Sequence, residues 1–239
     1  MQQRLIGPRS VSSIGLGGMP MSIEGRPDAE RSISTIHAAL DAGVTVIDSA
    51  DAYHRGAGEV GHNEELVARA LRSYGGDTSG VLVATKGGHL RPGDGSWTLN
   101  GHPDHLKAAA KGSAQRLGLD AIGLYQFHRP DPKVPYAESI GAIRDLLDEG
   151  VIELAGISNA NVEQIDLAND VSAAGSFRCR TSSRRRSGQV GVNSSTVPSS
   201  ALRSCPGRRS AASGVPPRSA PAALPSSASL RILGSVCSR

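Results

Sequence analysis

The segment VIDSADAY, residues 46–53, begins as an apolar β-strand and ends in ionisable side chains. Three further segments follow this pattern: VATK at 83–86, LYQFH at 124–128 and AGISN at 155–159. Each ends a predicted strand with a group that is able to bind a ligand or move a proton. In a (β/α) barrel the carboxyl ends of successive parallel strands meet on one face and build the active site there. The four segments together therefore predict a barrel with one catalytic centre.

Strands and helices alternate along residues 1–171. The predicted strands are short and nearly all apolar, and the helices between them run for about eight to fifteen residues, which is typical of a parallel sheet covered by helices. The predicted strands are 11–16, 44–47, 81–84, 122–127 and 152–157. The predicted helices are 29–42, 64–71, 103–117, 137–147 and 161–170.

The chain joins two segments of different composition. Residues 1–171 hold fifteen Lys and Arg against twenty-two Asp and Glu, a net charge of −7, whereas the whole chain is at +4. Residues 172–239, which we call the basic tail, hold eleven Arg and eighteen Ser and no Asp, Glu or Lys. The tail shows neither helical nor strand periodicity, so we expect it to be disordered or irregular.

Several classes of protein are not supported by the sequence. No apolar run approaches the ~20 residues that a membrane span requires, and the amino terminus lacks an apolar signal core, so we expect a cytoplasmic protein. Cys179, Cys205 and Cys237 have no metal-ligand spacing, and no metal site is expected. Because Phe177 is the only aromatic residue of the basic tail, stacking on nucleic-acid bases is not supported.

Four of the strand-end groups suit the reduction of a carbonyl group. Tyr53 is the candidate general acid, since a carbonyl that accepts a hydride develops negative charge on oxygen. A phenol with its reference pKa of about 10 is a poor donor unless a cation lies nearby, and Lys86 is the candidate cation. Asp48 would hold the Lys86 ammonium as an ion-pair partner. His128 would donate a hydrogen bond to the substrate oxygen.

Each candidate also has a purely structural interpretation. A tyrosine in a loop commonly packs, a lysine after a strand is commonly solvated, and His128 before a proline turn could be a turn residue. Ser158 and Asn159 could bind an amide, such as the carboxamide of nicotinamide. Trp97, in the loop after the third strand, could line the substrate pocket or pack on the surface. The acidic pair at 64–65 is interpreted as a solvated helix start rather than a metal site. The ordered occurrence of the four groups at strand ends favours the catalytic interpretation.

Residues 4–171 resemble the aldo-keto reductase family. The matching segments are IGLGGM (14–19), VIDSADAY (46–53), GHNEELVARAL (61–71), VATKGG (83–88), QRLGLDAIGLYQFHRPD (115–131) and GVIELAGISN (150–159). The resemblance implies a (β/α)8 TIM barrel that binds NADPH in an extended form without a Rossmann domain. Only the first five strand–helix units of such a barrel are present in the sequence.

The resemblance also implies site residues. The Asp, Tyr, Lys and His of the family's catalytic tetrad fall on Asp48, Tyr53, Lys86 and His128. The family's cofactor-binding positions fall on five residues, of which Asp48 belongs to both sets: Gly18, Met19, Asp48, Ser158 and Asn159.

The function predicted from these features is NADPH-dependent reduction of an aldehyde or ketone to an alcohol. Small carbonyl compounds are the expected partners, and the sequence does not set the oligomeric state. One alternative is a non-catalytic NADPH-binding regulatory subunit, because some relatives in the family have that role. A second alternative is a nucleic-acid-binding module that acts through the basic tail.

The basic tail is also explained by a change of reading frame. If the codons from Val171 onward are read one base earlier, as though one C were missing, suitable third bases give VLGGRLVSVQNQFSPAF. Residues 201–210 then give LGIAFLPWSPL, and the region near residues 221–233 gives TAFVRVAEDLGVS. These resemble the family's sixth strand, its seventh strand and the following helix. We therefore expect that residues 172–239 are an out-of-frame translation.

A barrel without its last three strand–helix units has physical consequences. Closure removes sheet edges, whereas five strands would leave the first and the fifth strand unpaired. We therefore expect the chain to be unstable and its activity to be impaired.

Overall fold

A computed structural model of the chain describes residues 1–173 and the strand 233–235. The helices are α1 (Ala29–Asp41), α2 (His62–Ser73), α3 (Pro103–Leu117), α4 (Tyr136–Asp148) and α5 (Val162–Ala173). The strands are β1 (Gln3–Ile6), β2 (Arg9–Ser12), β3 (Leu16–Gly17), β4 (Val46–Asp48), β5 (Leu82–Gly87), β6 (His89–Leu90), β7 (Thr98–Leu99), β8 (Leu124–Phe127), β9 (Ala155–Ser158) and β10 (Leu233–Ser235). Met19–Met21 and Ala57–Glu59 form single 3₁₀ turns.

Six parallel strands form the main sheet of the described residues, in the order β3, β4, β5, β8, β9, β10. From β3 to β9, one helix of the series α1 to α4 connects each strand to the next, and α5 follows β9. The prediction of five consecutive strand–helix units with a parallel sheet is thus confirmed.

The two faces of β5 show how the apolar pattern builds the core. Val83 packs in a buried cluster with side chains of α1 and α2, including Ile36 and Leu66. Leu82 and Ala84 point to the opposite face and pack with side chains of other strands. Because alternate side chains of a strand point to opposite faces, a strand that is covered on both sides must be apolar throughout. This explains the unbroken apolar runs of the sequence.

Strand register brings the polar strand ends to one edge of the sheet. Asp48 pairs with Ala84, Lys86 pairs with Gln126, and Phe127 pairs with Ile157. Since the strands are parallel, the residues that follow them, such as His128, emerge on the same side.

The predicted strand at 11–16 is wrong in its bounds. Residues Arg9–Ser12 pair antiparallel with Gln3–Ile6 in a hairpin, and only Leu16–Gly17 joins the main sheet. Val11 of this hairpin is buried against Leu82, Ala84 and Leu124. The hairpin therefore covers the inner face of the sheet near the amino ends of the strands, which is why Val11 is apolar.

The bounds predicted for α3, residues 103–117, are confirmed. Pro103 occupies the first turn, where its missing N–H is not needed, and the ring of His102 accepts a hydrogen bond from the Asp104 N–H. Gly118 ends the helix with a φ of +69°, a left-handed conformation that glycine adopts without strain.

The structure describes little of the basic tail. Helix α5 continues through Ala173, slightly past the predicted start of the tail at 172. Strand β10 pairs parallel with β9, with Leu233 beside Gly156 and Ser235 beside Ser158. The edge of the fifth strand is therefore paired over a short length, although the sequence predicts it to be unpaired. The expected disorder and reading-frame change of the remaining tail residues lie outside the described residues.

No helix of the described residues is long and apolar enough to cross a membrane. In the same part of the chain, His, Cys, Asp and Glu side chains form no group of three or more that is placed to hold a metal ion.

Candidate active site

The ammonium group of Lys86 lies at the centre of the site. Lys86 is near the end of β5 and is only 5 % exposed. Its Nζ donates hydrogen bonds to Asp48 Oδ2 at 2.7 Å, to the Ser49 carbonyl oxygen at 2.8 Å and to Tyr53 Oη at 3.1 Å. These three bonds use all the N–H groups of the ammonium. The buried charge is thus paired and fully hydrogen-bonded, as a buried cation requires.

Tyr53 and His128 lie beside each other next to Lys86. Both are 7 % exposed, and their rings meet edge to face with centroids 5.7 Å apart. Burial, together with the positive charge of Lys86, lowers the pKa of His128 to about 3. The imidazole is therefore neutral at neutral pH, and its Nδ1 has no hydrogen-bond partner among the described residues. The structure brings all four residues of the predicted catalytic set together.

Asp48 connects Lys86 to the loop that contains Gly18. Its carboxylate binds Lys86, and its backbone carbonyl accepts a hydrogen bond from the Gly18 N–H at 2.8 Å. Gly18 and Met19 follow β3 directly, and Met19 lines the cleft in front of Tyr53.

Asn63, on the first turn of α2, is a site residue that was not predicted from the sequence. Its side chain is fully buried, and its Nδ2 donates to the Gly18 carbonyl and to Ser22 Oγ, both at 2.8 Å. Its Oδ1 accepts from Ser49 Oγ at 2.7 Å. One amide thus fixes both the Gly18 loop and the residue whose carbonyl binds Lys86.

Ser158 and Asn159 lie at the end of β9, next to His128. Asn159 adopts a left-handed φ of +57°. Its Nδ2 donates to the His128 carbonyl at 2.9 Å and to Ser158 Oγ at 3.1 Å, and its Oδ1 accepts from Arg129 at 3.1 Å. Because Ser158 Oγ accepts this bond and donates to no group of the described residues, its O–H is available to a ligand.

A cleft of about 600 Å³ opens in front of Tyr53 and His128. Its walls combine apolar side chains with imidazole, phenol and guanidinium groups. The residues that line it are Met19, Ile23, Tyr53, His89, Trp97, Leu99, His128 and Arg129. Trp97 is 38 % exposed and is a wall of this cleft, so both interpretations offered for it hold in part.

Arg91 holds the wall of the cleft in place. Its buried guanidinium forms an ion pair with Glu24, donates to the His54 carbonyl at 2.6 Å and lies over the Trp97 ring at 4.5 Å from the centroid. No sequence pattern signals this residue, because its partners lie far away along the chain.

A second buried network lies behind the site. Glu64 is fully buried, forms an ion pair with Arg116 and accepts from Thr85 Oγ1. The interpretation of Glu64 as part of a solvated helix start is therefore wrong. Asp51 is also buried, and burial, with the nearby Glu64, raises its pKa to about 8. The positive charge of Arg116 and, to a smaller extent, that of Lys86 oppose this rise of the pKa.

Comparison with known proteins gives one consistent result. The family model described as the aldo/keto reductase family matches residues 13–179. The chain is 38 % identical over 163 residues to the aldo-keto reductase YhdN of Bacillus subtilis, a match that covers 65 % of this chain and 46 % of that protein. The chain therefore spans about half the length of this curated relative.

Solved structures agree with this result. The glycerol dehydrogenase AKR11B4 of Gluconobacter oxydans superimposes with a TM-score of 0.61 and 32 % identity over 71 % of this chain and 51 % of that one. The holo form of the aldo-keto reductase AKR11C1 of Bacillus halodurans superimposes with a TM-score of 0.61 and 31 % identity, and the match covers 72 % of this chain and 55 % of that one. The TIM-barrel fold inferred for the described strand–helix units is thus confirmed. The chain belongs to the aldo-keto reductase family.

Proposed function

We propose that this chain carries the site of an NADPH-dependent reductase that converts an aldehyde or ketone to an alcohol. The observation that supports this most strongly is the shared ammonium of Lys86, which contacts Asp48 and the Tyr53 phenol at once. An ammonium 3.1 Å from a phenol oxygen stabilises the phenolate, and this makes the phenol a better acid.

The residues of this chain would act on the carbonyl oxygen. His128, as a neutral imidazole, donates an N–H to that oxygen and orients the carbonyl group. Tyr53 donates its phenolic proton as negative charge develops on the same oxygen. Lys86 stabilises the resulting phenolate, and Asp48 keeps the ammonium in position.

The cofactor would lie between the Gly18 loop and the end of β9. Gly18, Met19 and Asp48 would contact it on one side, and Ser158 with Asn159 would bind the carboxamide. When bound, the reduced nicotinamide supplies a hydride to the carbonyl carbon. The preference for NADPH rests on the resemblance to the family, because the residues expected to bind the cofactor phosphates fall outside the described part of the chain. A cytoplasmic location likewise stays a prediction.

We propose further that the activity is impaired, because residues 1–171 form a partial barrel and 172–239 are read out of frame. The described main sheet has five strands and a short sixth strand, β10. A barrel of this class closes with eight. Sequencing the gene across the codons for residues 169–175 tests the frame. An additional C supports the proposal, and an unchanged sequence confirmed in the transcript contradicts it.

Consumption of NADPH with a panel of aldehydes and ketones, measured for a version of the protein with the reading frame restored after Val171, tests the reductase function. Tyr53→Phe removes the proposed acid, and Tyr136→Phe is a matched control, because the Tyr136 hydroxyl is buried without a hydrogen-bond partner in the described structure. Turnover that depends on Tyr53 and not on Tyr136 supports the proposal. Binding of NADPH without turnover would instead favour a regulatory subunit.

A further inference from the structure

His89 lies beside the catalytic histidine and has no part in the mechanism proposed above. It is the first residue of β6 and follows Gly88, whose φ is +97°. A side chain on Gly88 would approach the Phe127 ring to 2.8 Å, so glycine is required at this turn. The turn directs the His89 ring to His128, edge to face, with centroids 4.8 Å apart.

The His89 ring carries hydrogen-bonding capacity that the described structure does not use. Its Nδ1 is buried without a partner, and neither ring nitrogen is hydrogen-bonded to a residue of the described chain. Buried polar atoms in proteins are nearly always paired, so an unpaired imidazole beside a cleft points to a ligand. His128 Nδ1 is likewise buried without a hydrogen-bond partner among the described residues.

The His89 ring is fixed by its neighbours. It stacks at a tilt on Trp97 with centroids 4.6 Å apart, and Trp97 in turn lies under Arg91. Arg91 is anchored by Glu24 and the His54 carbonyl. Because neighbouring side chains already fix the His89 ring, a ligand that binds to it removes little conformational entropy from this side chain.

The charge of His89 limits what it can bind. Burial, together with the positive charge of Arg129, lowers the pKa of His89 to about 4, so the ring is neutral at neutral pH. A neutral imidazole donates or accepts one hydrogen bond per nitrogen and suits an uncharged oxygen better than a carboxylate. Arg129 also lines the cleft, but its side chain is exposed and already binds Asn159.

We propose that His89 is a second ligand-binding imidazole, which selects carbonyl compounds that carry a hydroxyl or second carbonyl oxygen on the adjacent carbon. His128 and Tyr53 bind the reacting oxygen, and His89, next to His128, binds the neighbouring one. Met19, Ile23 and Leu99 provide apolar walls that accept the rest of the molecule. This specificity rests on the proposed function, because it assumes that the reacting oxygen lies between Tyr53 and His128.

Trp97 allows this proposal to be tested without turnover. It is the only tryptophan of the chain and it stacks on His89, so tryptophan fluorescence reports on this wall of the cleft. The probes are cyclohexanol and cyclohexane-1,2-diol. Both resemble the alcohol products of the proposed reaction, and they differ by one hydroxyl group on the adjacent carbon. Each is titrated into the full chain, alone and with NADP⁺.

We expect the diol to gain affinity relative to cyclohexanol by about tenfold, the contribution of one hydrogen bond. His89→Phe, which keeps a ring on Trp97, should abolish this gain, and His89→Gln, which keeps hydrogen-bonding atoms, should retain part of it. His105→Phe is the matched control, because His105 is a half-buried histidine of α3 outside this cleft.

Three results would overturn the proposal: no diol preference in the unaltered chain, a preference that survives in His89→Phe, or no fluorescence response to either probe. These results are independent of catalysis. If the chain prefers the diol but its frame-restored version consumes no NADPH, the reductase function is contradicted and the role of His89 stands. Equal reduction of simple and hydroxylated aldehydes would support the reductase function and contradict the role of His89.

Discussion

Asp51 is a buried carboxyl group whose replacement by asparagine is expected to stabilise the protein at neutral pH. The residue is 4 % exposed, and its Oδ1 has no hydrogen-bond partner among the described residues. Burial, followed by repulsion from Glu64, raises its pKa from 3.8 to about 8. The folded protein therefore keeps a neutral acid at a pH where the unfolded chain carries a carboxylate.

The sign of the pH dependence follows from this difference. Between about pH 4 and pH 8 the folded state binds one more proton at Asp51 than the unfolded state does, so the free energy of unfolding falls as pH rises. The slope is about 1.4 kcal/mol per pH unit, and the accumulated loss at pH 7 is about 4 kcal/mol. The Asp51→Asn substitution would remove this loss but would add an N–H donor that needs a partner, at a cost of about 1 to 2 kcal/mol. We expect a net gain of about 2 to 3 kcal/mol at pH 7.

Urea unfolding followed by far-UV circular dichroism measures this gain. The unaltered chain and Asp51→Asn are compared at about pH 5 and pH 7, which spans two units of the titration window. The buried histidines titrate in both proteins, so their contribution cancels in the difference. Asp120→Asn, at an exposed carboxyl group, is the control and should change little. A stability difference between the two proteins that does not grow with pH would refute the reasoning.

Three further predictions concern the site and its supports. In the protein with the reading frame restored, Tyr53→Phe should lower kcat for carbonyl reduction by about 10²- to 10⁴-fold, with the Kd for NADPH unchanged, and a small loss would contradict the role of the phenol. Gly18→Ala should weaken cofactor binding, because its Cβ would clash with Asn63 Oδ1; an unchanged Kd in isothermal titration would count against the proposed cofactor contact. Trp97 fluorescence should fall as the pH is lowered through about 4, since protonated His89 quenches the indole, and His89→Phe should show no such step.

The strand ends were predictable because each depends on local sequence. An apolar run followed by Asp, Lys or His indicates both a buried strand and a polar group at its end. Parallel pairing then brings Asp48, Lys86 and His128 to one edge. The hairpin of β1 and β2 was missed because Gln3–Ile6 is largely exposed and has little apolar periodicity.

The ion pairs and hydrogen bonds that hold the site residues in place were not predictable, because they join residues that are distant along the chain. Arg91 and Glu24 are 67 residues apart, and Arg116 and Glu64 are 52 apart. A charged residue looks the same in the sequence whether it is solvated or paired in the interior. Asn63 carries no signal either, since a polar residue at the start of a helix is common.

The central claim is that Tyr53, activated by Lys86, protonates a carbonyl oxygen in a reaction that consumes NADPH. The most direct test is the rate of NADPH consumption with an aldehyde, measured for the chain as it stands and for a version with the reading frame restored after Val171. We predict turnover in the restored protein, its loss in the Tyr53→Phe form of that protein, and at most weak turnover in the chain as it stands. A restored protein that binds NADPH but does not reduce carbonyl compounds, or that reduces them equally well without the Tyr53 hydroxyl, would contradict the account.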